Sequence, residues 1–157
     1  MLYIDTFSIE VSYFIFDSGI RRSELQNVTQ QDIIDATEFN SQKLISRNSD
    51  TPTISSYAPL SIDGVKGRHN NRKQRMTLVS RAVLDRTNKY HASPLYKKYA
   101  RKYVSPDELP AFFNSKGRPI TPKCLSKLLD RLSNRAIQSG ALHKPISPHK
   151  LRHGYAY

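Results

Sequence analysis

The sequence predicts an α+β domain, mainly helical, with one small antiparallel hairpin near residues 53–79, and three observations carry that reading. Ile9 to Asp17 is apolar and aromatic and runs into Ser18-Gly19, the pattern of a buried helix stopped by glycine. A long amphipathic segment starts at Thr121-Pro122 and stops at Gly140. Between them, Thr53 to Ile62 and Gln74 to Val79 are rich in β-branched and aromatic residues and read as two strands. The first run leads into Asp63-Gly64, and a long basic loop joins it to the second. At 157 residues, 38% of them hydrophobic, the chain suits one modest domain with a thin core.

The remaining elements follow in order. Arg22 to Val28 begins a helical turn after the glycine, and Ser80 to Lys89 has helical character. After Pro94, the residues Tyr96, Tyr99, Ala100 and Tyr103 fall at i, i+3, i+4 and i+7, while Lys97, Lys98, Arg101 and Lys102 fill the other face. In the long segment Leu125, Leu128, Leu129, Leu132 and Ala136 form a core stripe that Cys124 joins. On the same helix Lys123, Lys127, Arg131 and Arg135 recur every four residues, a cationic row about 18 Å long at ~1.5 Å rise per residue. Asp130 alone interrupts it, whereas solvated faces usually mix both signs to gain i,i+4 pairs.

Several classes of protein are excluded at this stage. The longest apolar run is Tyr13 to Phe16, too short for a membrane span. The first residues lack a basic start, an apolar stretch and a cleavage site, so the expected location is the cytoplasm. One cysteine, Cys124, permits neither an internal disulfide framework nor a multi-cysteine zinc site, and no metal or cofactor is expected. Charge is segregated: residues 1–50 carry 8 acidic and 4 basic side chains, residues 51–157 carry 5 acidic and 21 basic. Such a field attracts polyanions, and release of phosphate counterions makes nucleic acid the leading partner. A basic protein kept soluble by its charge is the plainer alternative.

The chemistry concentrates at two places. Ser147-Pro148 supplies a cap and a first-turn proline for a helix on which His149, Arg152 and His153 share a face. Arginine holds two phosphate oxygens bidentately, and histidine exchanges a proton near neutral pH. Far upstream, Gly19-Ile20-Arg21-Arg22-Ser23-Glu24-Leu25 places an arginine two residues past the helix-ending glycine.

Together these segments resemble the tyrosine recombinase (phage integrase) family. That family's first motif, Gly-(Leu/Ile)-Arg-x-Ser-Glu-Leu, is matched by residues 19–25, and its second, His-x-Leu-Arg-His, by residues 149–153. Gly64-Val65-Lys66-Gly67 and Arg72-Lys73-Gln74-Arg75-Met76-Thr77-Leu78 stand where the family has a lysine-bearing hairpin. The segment Ala111 to Ile120 is similar to the one preceding the family's long helix.

The resemblance implies that Arg21 and Arg152 clamp the scissile phosphate and offset the charge building on its oxygens. It implies that His149 assists proton transfer and that a hairpin lysine protonates the 5′-oxygen leaving group. Lys66 is the first choice for that lysine and Lys73 the second, because the usual position counted back from Lys73-Gln74-Arg75 falls on Asn70. Lys123, Lys127, Arg131, Arg135, Lys73 and Arg75 are the expected DNA contacts, His153 and Glu24 have supporting roles, and Arg22 reads as an ordinary exposed arginine. The implied partners are double-stranded DNA and other recombinase protomers.

The family's nucleophilic tyrosine lies some tens of residues beyond the second motif. Tyr155 and Tyr157 lie within five residues of Arg152, too near it for an in-line approach to the phosphate that arginine holds. Residues 1–157 are therefore expected to be a partial, truncated catalytic domain, without the amino-terminal DNA-clasping domain and the tyrosine-bearing helices, and inactive in strand cleavage. The competing reading is a non-catalytic basic nucleic-acid-binding or regulatory module. Convergence of Arg21 and Arg152 on one site separates the two.

Overall fold

A computed structural model describes residues 2–43, 56–65 and 72–153. The elements are α1 (Leu2–Ser18), α2 (Arg22–Leu25), α3 (Gln30–Lys43), β1 (Tyr57–Val65), β2 (Arg72–Ser80), α4 (Arg81–Ala92), α5 (Pro94–Ala100), α6 (Pro122–Gln138) and α7 (Pro148–His153). Helix α1 is the central element, packed on α4, α6, α7 and β2. Its inward side, Val11, Phe14 and Ile15, is fully buried, and Phe14 meets Phe112 edge-on. Only one side is buried, contrary to the expectation of a buried helix: Ile9, Tyr13 and Phe16 lie at i, i+4 and i+7 on its exposed face. Arg86 covers Tyr13 with its guanidinium, 4.5 Å from the ring centroid, and is held there by Glu10.

The helix starts are built by short polar side chains. The Thr121 hydroxyl accepts the amide of Cys124 ahead of Pro122, and Ser93 accepts that of Tyr96 ahead of Pro94. Ser80 caps α4 by accepting the Val83 amide, while its own amide donates to Asp17 near the end of α1. Helix α5 ends at Ala100, earlier than the aromatic spacing predicts. Tyr103, in the turn beyond, still packs with Tyr99 and Ala100 on a small second core of Tyr96, Leu109 and Phe113. Below it, Gly117 has φ +70°, and a Cβ there would lie 2.4 Å from the Tyr99 ring, so both backbone and space require glycine.

The two strands pair antiparallel from Tyr57↔Ser80 to Val65↔Arg72. Asp63 and Gly64 continue β1 opposite Gln74 and Lys73, so the first strand does not stop before them. The expected strand start at residues 53–55 lies outside the described residues. Ala58, Leu60 and Ile62 point into the core, facing Val79, Thr77 and Arg75 across the ladder. Outward come Tyr57, Met76 and Leu78, all about half exposed or more. In the middle of β2, polar Arg75 and Thr77 thus turn inward while apolar Met76 and Leu78 turn outward. The reason is local: Thr77 donates its hydroxyl hydrogen to the carbonyl of Ser18 at 2.6 Å, and Arg75 reaches an internal carboxylate.

His91, 8% exposed, stacks on Tyr96 and donates from Nε2 to the carbonyl of Ala111 at 2.9 Å, which leaves Nδ1 without a hydrogen. Burial lowers its pKa from 6.5 to about 4. The unfolded chain therefore binds a proton that the folded one refuses, so stability should fall as pH drops from about 6.5 towards 4, by up to about 3 kcal/mol. Urea denaturation at pH 7 and pH 5 checks this. His91→Phe should be less stable at pH 7 but lose this part of the pH dependence.

Candidate phosphate site

The site is assembled from two chain turns that sequence separates widely. Helix α1 ends at Gly19, whose φ of 61° turns the chain and whose amide bonds back to Ile15. Ile20 is buried and anchors the turn, so that Arg21 becomes the N-cap of α2. Its backbone amide donates to Glu24 Oε2 at 2.8 Å and its guanidinium to Glu24 Oε1 at 2.7 Å. Helix α2 is only one turn long, and its start is closed locally: the Arg21 amide donates to the Glu24 carboxylate and the Glu24 amide to the Arg21 carbonyl.

Glu24 is 2% exposed. Burial raises its pKa, but hydrogen bonds from Arg75 and Arg21 outweigh that and hold the carboxyl near about 2. Arg75 binds it bidentately, Nε to Oε1 at 3.0 Å and an Nη to Oε2 at 2.7 Å. The carboxylate so fixes both arginines, one at the N-cap of α2 and one on β2.

The second turn arrives from α6. Ser133, buried on that helix, accepts the Ile146 amide at 2.9 Å and donates to its carbonyl. Ser147 then caps α7 by accepting the Lys150 amide, and Leu151 packs against the main core. Arg152 donates from Nε to the Gly19 carbonyl at 2.9 Å, which fixes its guanidinium beside Arg21. The result is an open cleft of about 460 Å³ lined by Arg21, Arg22, Ser23, Ser147, His149 and Arg152, with Pro148 at its edge. Three guanidinium groups and an imidazole around hydroxyl groups make a receptor for a tetrahedral oxyanion.

The structure therefore brings Arg21, His149 and Arg152 together. Lys123, Lys127, Arg131 and Arg135 stand exposed on α6, outside the cleft, with Leu125, Leu128 and Leu129 buried on the opposite side. Cys124 packs partly buried against that core. Arg75, expected among the DNA contacts, is corrected: the register turns it inward to Glu24. Lys66 lies outside the described residues, as do Tyr155 and Tyr157, and of Lys73 only the backbone pairing with Gly64 is described. His153 places its Nε2 2.8 Å from that of His149.

Three lining residues were missed by sequence reasoning: Arg22, Ser23 and Ser147. Arg22 donates to the Ser126 hydroxyl on α6 at 2.9 Å, a contact between residues 104 apart. No ordinary spacing rule announces it.

No family model matches the chain, and no curated protein matches it in sequence. Solved structures do match. The chain is similar to XerA recombinase with a TM-score of 0.59 and 15% identity, over 97% of this chain and 43% of that one. It is similar to the XerH site-specific recombinase bound to difH substrate in a pre-cleavage complex, with a TM-score of 0.59 and 19% identity, over 99% and 36%. A Tn1549 transposon integrase in complex with a circular intermediate DNA gives 0.60 and 14%, over 93% and 43%. The chain has the catalytic-domain fold of these recombinases and integrases, and it spans less than half the length of each. Among the described residues, no helix is long and apolar enough to cross a membrane.

Because Glu24 has a lowered pKa, the stability it supplies is complete above about pH 4.5 and is lost as pH falls towards 2. Glu24→Gln should cost roughly 2–3 kcal/mol at pH 7, the loss of charge-assisted hydrogen bonds at a buried acceptor. The gap between wild type and variant in denaturant titrations should close by about pH 2.

Proposed function

We propose that residues 1–157 form the phosphate-binding part of a tyrosine recombinase or integrase catalytic domain acting on double-stranded DNA. The observation that carries this is the cleft in which Arg21, His149 and Arg152 converge, on a fold otherwise seen in recombinases. Arg21 and Arg152 bind the non-bridging oxygens of one backbone phosphate and stabilise the charge that grows there when the phosphorus becomes five-coordinate. Both heads are fixed before DNA arrives, Arg21 by Glu24 and Arg152 by the Gly19 carbonyl, so little reorganisation accompanies the reaction. His149 exchanges the proton of the attacking or departing oxygen, and a hairpin lysine, Lys66 or Lys73, protonates the 5′-oxygen. The α6 row of Lys123, Lys127, Arg131 and Arg135 meets neighbouring phosphates, which positions the protein without reading sequence.

Strand cleavage in this scheme needs a tyrosine from outside residues 1–157. Tyr155 and Tyr157 follow Arg152 by three and five residues, too close to approach its phosphate in line at the ~3–3.5 Å of a reacting pair. These residues alone are accordingly inactive in cleavage, and a neighbouring protomer is one source of the nucleophile.

Duplex affinity should fall with rising salt. Five phosphates, four met by α6 and one held by the clamp, give a slope of about −4.5 in log affinity against log salt. Replacing both clamp arginines, Arg21→Ala with Arg152→Ala, should reduce the magnitude of that slope by about 1, and salt-independent binding would overturn the proposal. A denaturing gel of the chain with labelled duplex should show no covalent adduct. An adduct abolished by Tyr155→Phe or Tyr157→Phe would place the nucleophile within the chain.

A further inference from the structure

His149 and His153 stand one turn apart on α7, both exposed, with their Nε2 atoms 2.8 Å apart and their ring planes at 89°. At that separation one imidazole donates and the other accepts, so the rings hold opposite tautomers around a single shared hydrogen. A metal ion can replace that hydrogen, because neutral imidazole offers Nε2 as a ligand. Imidazole nitrogen suits copper(II) and nickel(II), whose tetragonal shells take nitrogen and oxygen ligands together.

We propose that His149 and His153 form a two-imidazole site for a divalent transition metal, Cu²⁺ or Ni²⁺, and that a bound ion withdraws His149 from the phosphate cleft. The α7 backbone sets the rings at i and i+4 on one face, so the second metal bond costs little ordering. Both rings are exposed and can turn to bring their lone pairs to one point without disturbing the core. Among the described residues, no group of three or more His, Cys, Asp or Glu side chains could hold a metal, so water or oxyanion oxygens fill the other positions. Since His149 lines the cleft, ion and DNA phosphate make rival demands on the same ring. Metal binding does not depend on the recombinase reading. The withdrawal of His149 from catalysis rests on it.

The test is titration of the whole chain with CuCl₂ and NiCl₂, with circular dichroism to verify the fold of each variant. Electron paramagnetic resonance of the copper form should show two coordinated nitrogens from imidazole at one ion per chain. His149→Asn and His153→Asn should each reduce this to one nitrogen and weaken affinity at least tenfold, while His143→Asn should change neither. Affinity and spectrum unchanged in either α7 variant, or no binding by the wild-type chain, would overturn the site. The recombinase reading is tested separately by the salt dependence of duplex binding in metal-free protein.

Discussion

A carboxylate sealed from water between two guanidinium groups is the constraint on which the site depends. Glu24 could not remain charged at its depth without Arg21 and Arg75, since an unpaired buried carboxylate would take up a proton instead. Its position is equally forced from the other side. The four-residue helix α2 cannot satisfy its own leading amides, and the Glu24 side chain reaches back to one of them. Local backbone demand and long-range charge pairing thus meet at one side chain. Arg21 has donors to spare after serving Glu24, and those are the groups that remain for a phosphate. A free surface arginine would have to surrender side-chain freedom on binding, whereas this one has largely done so on folding.

Much of the helical architecture was legible because its punctuation is local. Thr121-Pro122, Ser93-Pro94 and Ser147-Pro148 each set a capping hydroxyl beside a proline, and each begins a helix. The sheet was harder. Its alternation puts Arg75 and Thr77 inside and Met76 and Leu78 outside, the reverse of what polarity alone suggests. Only the proximity of Ser18 and Glu24, contributed by other elements, makes the polar side the inner one. The exposed face of α1 was misjudged for a related reason: Tyr13 is covered by Arg86, and a cation above a ring leaves no trace in the hydrophobic pattern of the helix itself.

The site was legible to the extent that it follows motif spacing. Arg21 and Glu24 sit three apart across a single turn, and His149 and Arg152 do the same on α7, so backbone geometry alone unites each pair. Bringing the two pairs together needs the tertiary fold, and there the resemblance to recombinases supplied what periodicity could not. Arg22 shows the remaining gap. Its contact with Ser126 depends on how α2 lies against α6, and the same sequence in another packing would leave it without that partner.

The hydrogen bond from Arg152 to Gly19 joins residues 133 positions apart. During synthesis the first half of the clamp leaves the ribosome early, with its glycine turn and short helix, while its partner emerges only after the intervening elements. A nascent chain therefore carries Arg21 without the cleft, and the cleft arises in one late closure rather than growing with chain length. In a basic protein made beside abundant RNA, the place where three arginines stand together does not exist until the rest of the fold is complete.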